Sequence, residues 1–160
     1  LFDQLSASHD LGAAERRILL AAALLHDIGQ FVSFKKHHKH SLYLLLHAEL
    51  AGFSPHDMEL VANVARYHRR AEPDASHWAY VNLCSRDRVR VEMLAAILRV
   101  ADALDREHRQ RVRHVDVRVG GKELTLSLGG DGDFLLERWV LAGRAAMLGR
   151  VLGRKVKIKG

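Results

Sequence analysis

The chain has 160 residues, 48% of them hydrophobic and 28% charged, with a formal charge of +6 and 11 histidines. This is the composition of a water-soluble globular chain with a substantial core, and it excludes a disordered or low-complexity polymer. No apolar run reaches the ~20 residues that span a bilayer, no signal-peptide pattern is present, and the single cysteine, Cys84, excludes an internal disulfide and fits a reducing, cytoplasmic compartment.

The excess positive charge points to an anionic partner. An aromatic content of 6% argues against reading single-stranded nucleic acid by base stacking, so nucleic acid is not the expected partner.

Leu1-Phe2-Asp3-Gln4-Leu5 reads as the end of an amphipathic helix, as in a fragment of a longer polypeptide. A helix is predicted over 13–28, with Ile18, Ala22 and Leu25 on one stripe and Gly29 as its C-cap. Residues 30–40 read as a connector ending in the basic run Lys35-Lys36-His37-His38-Lys39-His40, and 41–50 as a second helix broken at Gly52. Ser54 is an N-cap with Pro55 at the first helical position, opening a helix whose inner face is Met58, Val61, Ala62 and Ala65 and which ends near His68-Arg69-Arg70. A short helix follows over 78–83, then the longest helical pattern, 88–106, in which Asp102 interrupts an apolar stripe of Val91, Leu94, Leu98 and Ala101.

Near Arg111 the period changes from helical to alternating. Val115, Val117 and Val119 form one strand face and Leu124, Leu126 and Leu128 another, with Gly120-Gly121 as a two-residue hairpin turn that sets Val117 opposite Leu124 and Val115 opposite Leu126. A helix over 134–150 presents Leu136, Val140 and Met147, with Gly143 allowing a close neighbour, and 155–158 forms a third strand. The fold class expected is therefore mainly α: a helical domain over 1–110 and a small β-hairpin–helix–strand (α+β) subdomain over 111–160 packed on it.

The chemistry centres on Leu24-Leu25-His26-Asp27-Ile28-Gly29, where an ionisable pair ends an apolar run. Burying such a pair costs several kcal/mol unless a metal or a hydrogen-bonded partner compensates. His26, Asp27, His40, His68 and Asp102 sit on separate helices or helix starts, and imidazole with carboxylate is the usual donor set for divalent transition metals. The plainer reading makes His26-Asp27 a structural pair, Asp102 an arginine partner and the basic run a solvated loop. Trp78, Trp139 and the hairpin valines read as core or interface, and Cys84 as a small inert apolar residue.

Leu25-His26-Asp27-Ile28-Gly29, His68 and Arg99-Val100-Ala101-Asp102-Ala103-Leu104-Asp105 together resemble the HD superfamily of helical metal-dependent phosphohydrolases. Leu1-Phe2-Asp3-Gln4-Leu5, His38-Lys39-His40-Ser41, Ala51-Gly52-Phe53-Ser54 and Ala65-Arg66-Tyr67-His68-Arg69 narrow the resemblance to the C-terminal, HD-like region of the exopolyphosphatase / guanosine pentaphosphate phosphohydrolase (Ppx/GppA) family. That resemblance implies an HD-like helical bundle that holds polyphosphate or guanosine pentaphosphate and mediates homodimer contacts. Catalysis would lie in N-terminal actin-like domains of the same polypeptide that this chain lacks.

It further implies a divalent metal (Mn, Mg, Fe or Zn) on a core of His26, Asp27 and Asp102, with His40 and His68 as additional candidate ligands. Polyanion contacts would come from Lys35, Lys36, His37, His38, Lys39, Arg69, Arg70 and Arg99, the histidines gaining charge in mild acid. The first histidine of a complete HD site has no match here: His9, beside Asp10, reads as loop, so that ligand is absent or lies before Leu1. The alternative is a stand-alone metal-dependent HD phosphohydrolase acting on nucleotides.

Overall fold

The computed structural model describes residues 1–105, 109–131 and 133–160. The fold is mainly α with a three-stranded sheet, and the chain divides into two compact units, Leu11–Leu98 and Leu1–Asp10 together with Arg99–Gly160. This division differs from the split at residue 110 read from the change of period. The last turns of the longest helix and the first ten residues group with the sheet.

The helical unit holds α1 (Ala13–Leu25), α2 (His37–Leu46), α3 (Pro55–Arg66), α4 (Trp78–Val81) and the first part of α5 (Ser85–Leu104). The end of α5 expected at Arg106 lies outside the described residues. Ser54 and Asp57 form the reciprocal cap that opens α3, Ser54 Oγ accepting from the Asp57 N–H at 3.1 Å and the Ser54 N–H donating to Asp57 Oδ2 at 3.0 Å. The α3 face Met58, Val61, Ala62 and Ala65 is buried as its spacing requires. Arg90 on α5 ties back to α1 through Glu15 at 2.8 Å and to its own helix through Asp87 at 2.7 Å. Cys84 is exposed, and its thiol donates to Asp87 Oδ2, a polar role for a residue expected to be apolar filler.

Two helix boundaries depart from the apolar spacing. α1 stops at Leu25, and a 3₁₀ turn over Ile28–Phe31 follows. Gly29 is buried in that turn rather than capping the helix. A Cβ at Gly29 would lie 2.2 Å from the His37 carbonyl oxygen and 2.4 Å from the Ser41 backbone nitrogen, so only glycine lets the start of α2 come this close. Ser41 Oγ completes the junction, donating to the His26 carbonyl at 2.6 Å and accepting from the Gly29 N–H at 3.0 Å. α2 begins at His37, four residues before the expected start, behind Lys36 in the left-handed region (φ 62°).

In the other unit, β1 (Val112–Val119) and β2 (Glu123–Gly130) are antiparallel, α6 (Leu135–Val151) follows, and β3 (Lys155–Lys159) runs parallel to β2, giving the order β1-β2-β3. Val119 pairs with Leu124, Val117 with Leu126 and Val115 with Leu128, which corrects the expected register. The Gly120 N–H bonds the Glu123 carbonyl at 2.8 Å, so the two loop residues are Gly121-Lys122 rather than Gly120-Gly121. Moving the turn by one residue shifts every pair by two, and a shift of two keeps the apolar faces together.

α6 buries Leu141, Ala145, Met147 and Leu148; of the face expected from Leu136, Val140 and Met147, Met147 is buried and Val140 half-buried, while Leu136 and the neighbouring Gly143 are outward. The close approach is at Gly149, where a Cβ would meet the Arg154 carbonyl oxygen at 2.7 Å. The first residues form a 3₁₀ turn, Asp3–Ser8, rather than a helix end. Its Gln4 side chain lies along β1, donating to the Val115 carbonyl at 2.8 Å and accepting from the Val117 N–H at 2.7 Å.

Two glycine substitutions should therefore have opposite signs. Gly29→Ala forces a methyl into backbone atoms and is expected to lower stability by about 2–3 kcal/mol. Gly143→Ala, in an exposed helix interior with nothing within 4 Å, should raise it by about 0.5–1 kcal/mol. Urea unfolding midpoints of the two variants measure both.

Candidate functional site

His26 closes α1, and Asp27 (φ −99°, ψ 3°) has already left the helix, so the pair faces one site because the chain turns, not because of helical spacing. Three imidazoles surround the Asp27 carboxylate: His37 Nε2 at 3.0 Å and His68 Nε2 at 3.5 Å from Oδ1, and His26 Nε2 at 3.7 Å from Oδ2. Gln30 Nε2 donates to Oδ2 at 2.5 Å. His26, Asp27 and His68 each offer a ligand atom, and all three atoms lie within 4.8 Å of one another.

The three rings share one device. His26 Nδ1 bonds the Ala23 carbonyl at 2.7 Å, His37 Nδ1 the Phe34 carbonyl at 3.1 Å, and His68 Nδ1 the Ala65 carbonyl at 2.6 Å, each three residues back along the chain. A carbonyl only accepts, so each Nδ1 carries a proton, and in the neutral ring Nε2 is then the atom that presents a lone pair. Nε2 of His37 and of His68 are 3.3 Å apart, beside the carboxylate oxygen. Lone pairs and a carboxylate at such distances repel unless a cation lies among them. A proton or a divalent metal meets that need, and ring orientation by a backbone carbonyl is the usual outer support of metal-binding histidine. The donor set of imidazole nitrogens and one carboxylate suits Zn, Fe or Mn better than Mg.

The basic residues expected to hold a polyanion separate by burial. Lys35, Lys36, Lys39 and Arg70 are exposed, and Arg69 is half-buried with Nη1 3.5 Å from His37 Nε2. His37 and His38 are buried, which corrects the reading of the whole run as a solvated loop. His40 is half-buried on α2, outside the three-residue group. Arg99 and Asp102 lie beyond Leu98 and belong to the other unit, where Arg99 is buried and Asp102 half-buried.

His37 was not expected as a partner of Asp27, and Ser41 and Gln30 were not expected as site residues. The signal for His37 is the buried stripe Leu45, Leu42, Ser41, which one helical turn back arrives at His38 and His37. Among the described residues, two of the three non-glycine residues with positive φ flank the site, Lys36 at 62° and Arg70 at 59°. Such conformations cost roughly 1–2 kcal/mol each and concentrate at functional sites.

Burial pushes His68 down to about 3, against the pull of its Ala65 bond, and burial followed by the positive charge of Arg66 pushes His38 down to about 4. His38 therefore gains no charge in mild acid, so the tighter binding expected of a histidine track cannot come from it. In the unfolded chain both titrate near pH ~6.5. The unfolded state thus binds more protons below that pH, and stability is complete above about pH 6.5 and lost as pH falls toward about 4. Each histidine contributes up to about 1.4 kcal/mol per pH unit in this window. Urea midpoints in chelator-treated buffer should fall steadily across it, and His38→Gln should flatten the slope.

Residues 1–142 match the family described as Ppx/GppA phosphatase, domain III. A guanosine-5'-triphosphate,3'-diphosphate pyrophosphatase of Pseudoalteromonas atlantica is 34% identical over 105 residues, covering 62% of this chain and 21% of the relative. The protein of the same name from Pseudoalteromonas translucida is 42% identical over 52 residues, 32% of this chain and 10% of the relative. These matches span about a fifth or less of the relatives' length. Running from Leu1 through β1, β2 and much of α6, the family match shows that the chain belongs to the Ppx/GppA phosphatase family, as its domain III.

Proposed function

We propose that this domain grips phosphate chains, polyphosphate or guanosine pentaphosphate, at the His26–Asp27–His37–His68 cluster. The observation that carries the reading is the convergence of three imidazole Nε2 atoms on one carboxylate, with the Arg69 guanidinium beside them. His26, Asp27, His37 and His68 would hold a divalent cation, Zn, Fe or Mn in preference to Mg. When bound, such an ion supplies a positive centre that coordinates a phosphoryl oxygen.

Arg69 adds a forked donor suited to phosphate oxygens, and Lys35, Lys36, Lys39 and Arg70 supply exposed point charges along which a polyanion can lie. The names of the relatives, pyrophosphatases of a guanosine polyphosphate, support a substrate of this class. Hydrolysis of the terminal phosphate is assigned to actin-like N-terminal domains of the same polypeptide, with domain III holding the chain and contributing to a homodimer in the cytoplasm. Among the described residues no helix is long and apolar enough to cross a membrane.

A second reading, a nucleotide phosphohydrolase working at the cluster itself, is favoured by the same carboxylate and imidazoles, and the two separate on turnover. Metal analysis after loading should find near one equivalent per chain, and Asp27→Asn and His68→Ala, each removing a ligand, should lower metal affinity by about 100-fold or more, at or above the loss typical of outer supports. His40→Asn and Asp102→Asn decide whether those residues, implied by the HD resemblance, are further ligands. Polyphosphate should be retained in a salt-sensitive manner without phosphate release, and Arg69→Ala with Lys36→Ala should weaken retention. Phosphate release that Asp27→Asn abolishes would favour the second reading, and no retention at low ionic strength would remove the first.

A further inference from the structure

The sheet unit closes one of its edges and leaves the other open. The Gln4 amide covers β1 with two backbone hydrogen bonds, whereas among the described residues no strand pairs with the outer edge of β3. Beside that edge, two adjoining clefts of about 520 and 450 Å³ run along α6 and share Ala142, Val156 and Ile158. Apolar residues line most of them, among them Leu135 and Trp139, which are 74% and 77% exposed, and Arg138, Arg150, Arg154 and Lys155 add positive charge to the lining. Leu135, Trp139, Ala142 and Ala146 recur at helical spacing, so one flank of α6 overlooks the open edge along its length.

On the sheet's opposite face β3 presents Lys155, Lys157 and Lys159, all exposed. β2 already answers this row with an acid: Glu123 Oε1 lies 2.8 Å from Lys157 Nζ. A strand added outside β3 would place alternate side chains over the α6 groove and the others beside the lysines. We infer that this edge docks an extended partner segment in which acidic residues alternate with apolar ones, added as a fourth strand. A second copy of β3 fits poorly. Any antiparallel register that keeps Val156 and Ile158 toward the groove sets lysine against lysine, an arrangement that edge lysines oppose. An inorganic polyanion would meet the lysines but leave the apolar groove and Trp139 unused.

The probe is a short synthetic peptide alternating valine with glutamate, titrated into the full 160-residue chain carrying Trp78→Phe so that Trp139 alone reports. The peptide should blue-shift Trp139 emission and slow amide exchange in residues 155–159. Trp139→Ala, read by calorimetry, and Lys159→Glu should each weaken binding about tenfold or more. Both positions are exposed, so the variants keep the fold. A valine–lysine peptide should not bind. Three results would overturn the inference: no binding of the valine–glutamate peptide, equal binding of polyglutamate or polyphosphate, or Trp139 buried by self-association in sedimentation.

Discussion

Three imidazole rings aimed at one carboxylate define the helical unit. Each is locked by a carbonyl three residues earlier, so the orientation of the Nε2 lone pairs is set by local backbone and needs no other side chain. Bringing the three rings together is a problem of backbone approach. Gly29 admits the His37 and Ser41 backbone to distances that no side chain tolerates, and Ser41 Oγ fastens the end of α1 to α2. α3 then delivers His68 just past its C-terminus, where its N–H still bonds the Ala65 carbonyl. The early end of α1, the left-handed Lys36 and the early start of α2 serve this convergence.

Burial and charge divide the work around the site. His37, His38 and His68 are buried, and burial holds His38 and His68 neutral well below the usual histidine range. A neutral imidazole is the form that binds a metal, whereas a protonated one would repel it. The permanently charged residues, Lys35, Lys36, Lys39 and Arg70, remain at the surface, where hydration costs them nothing and an extended anion can reach them. A run that reads as one basic loop therefore contains two kinds of group with different physics.

The sheet unit is built on a different balance. Its hairpin, α6 and β3 bury one face of Leu124, Leu126 and Leu141, while the other face is polar and, among the described residues, no strand pairs with the outer edge of β3. Edge strands are ordinarily protected against indiscriminate pairing, and the three lysines of β3 do that against a second copy of themselves. The same charges, set beside an uncovered apolar groove, favour an acidic strand.

The sequence by itself determined the element types, the α3 cap, the two-strand alternation and the family, because these rest on local periodicity, on turn and cap residues, and on short motifs. Ser54-Pro55 opened a helix as read, and Val115, Val117 and Val119 met the leucines of β2 on one face although the turn lay one residue further on. The inward face of α6 was read correctly at Met147 and misread at Leu136, because leucine and valine recur on both flanks and only the neighbour chosen by the fold buries one of them. His26, Asp27 and His68, singled out from the sequence as candidates, do come together in the fold, and an ionisable pair at the end of an apolar run was the signal.

His37 was not legible in the same way: in the sequence it stands among lysines. Only tertiary structure decided that α2 starts there and turns it toward Asp27. The physical reason is the Gly29 contact, a steric allowance between segments eight to twelve residues apart that no helical or strand period encodes.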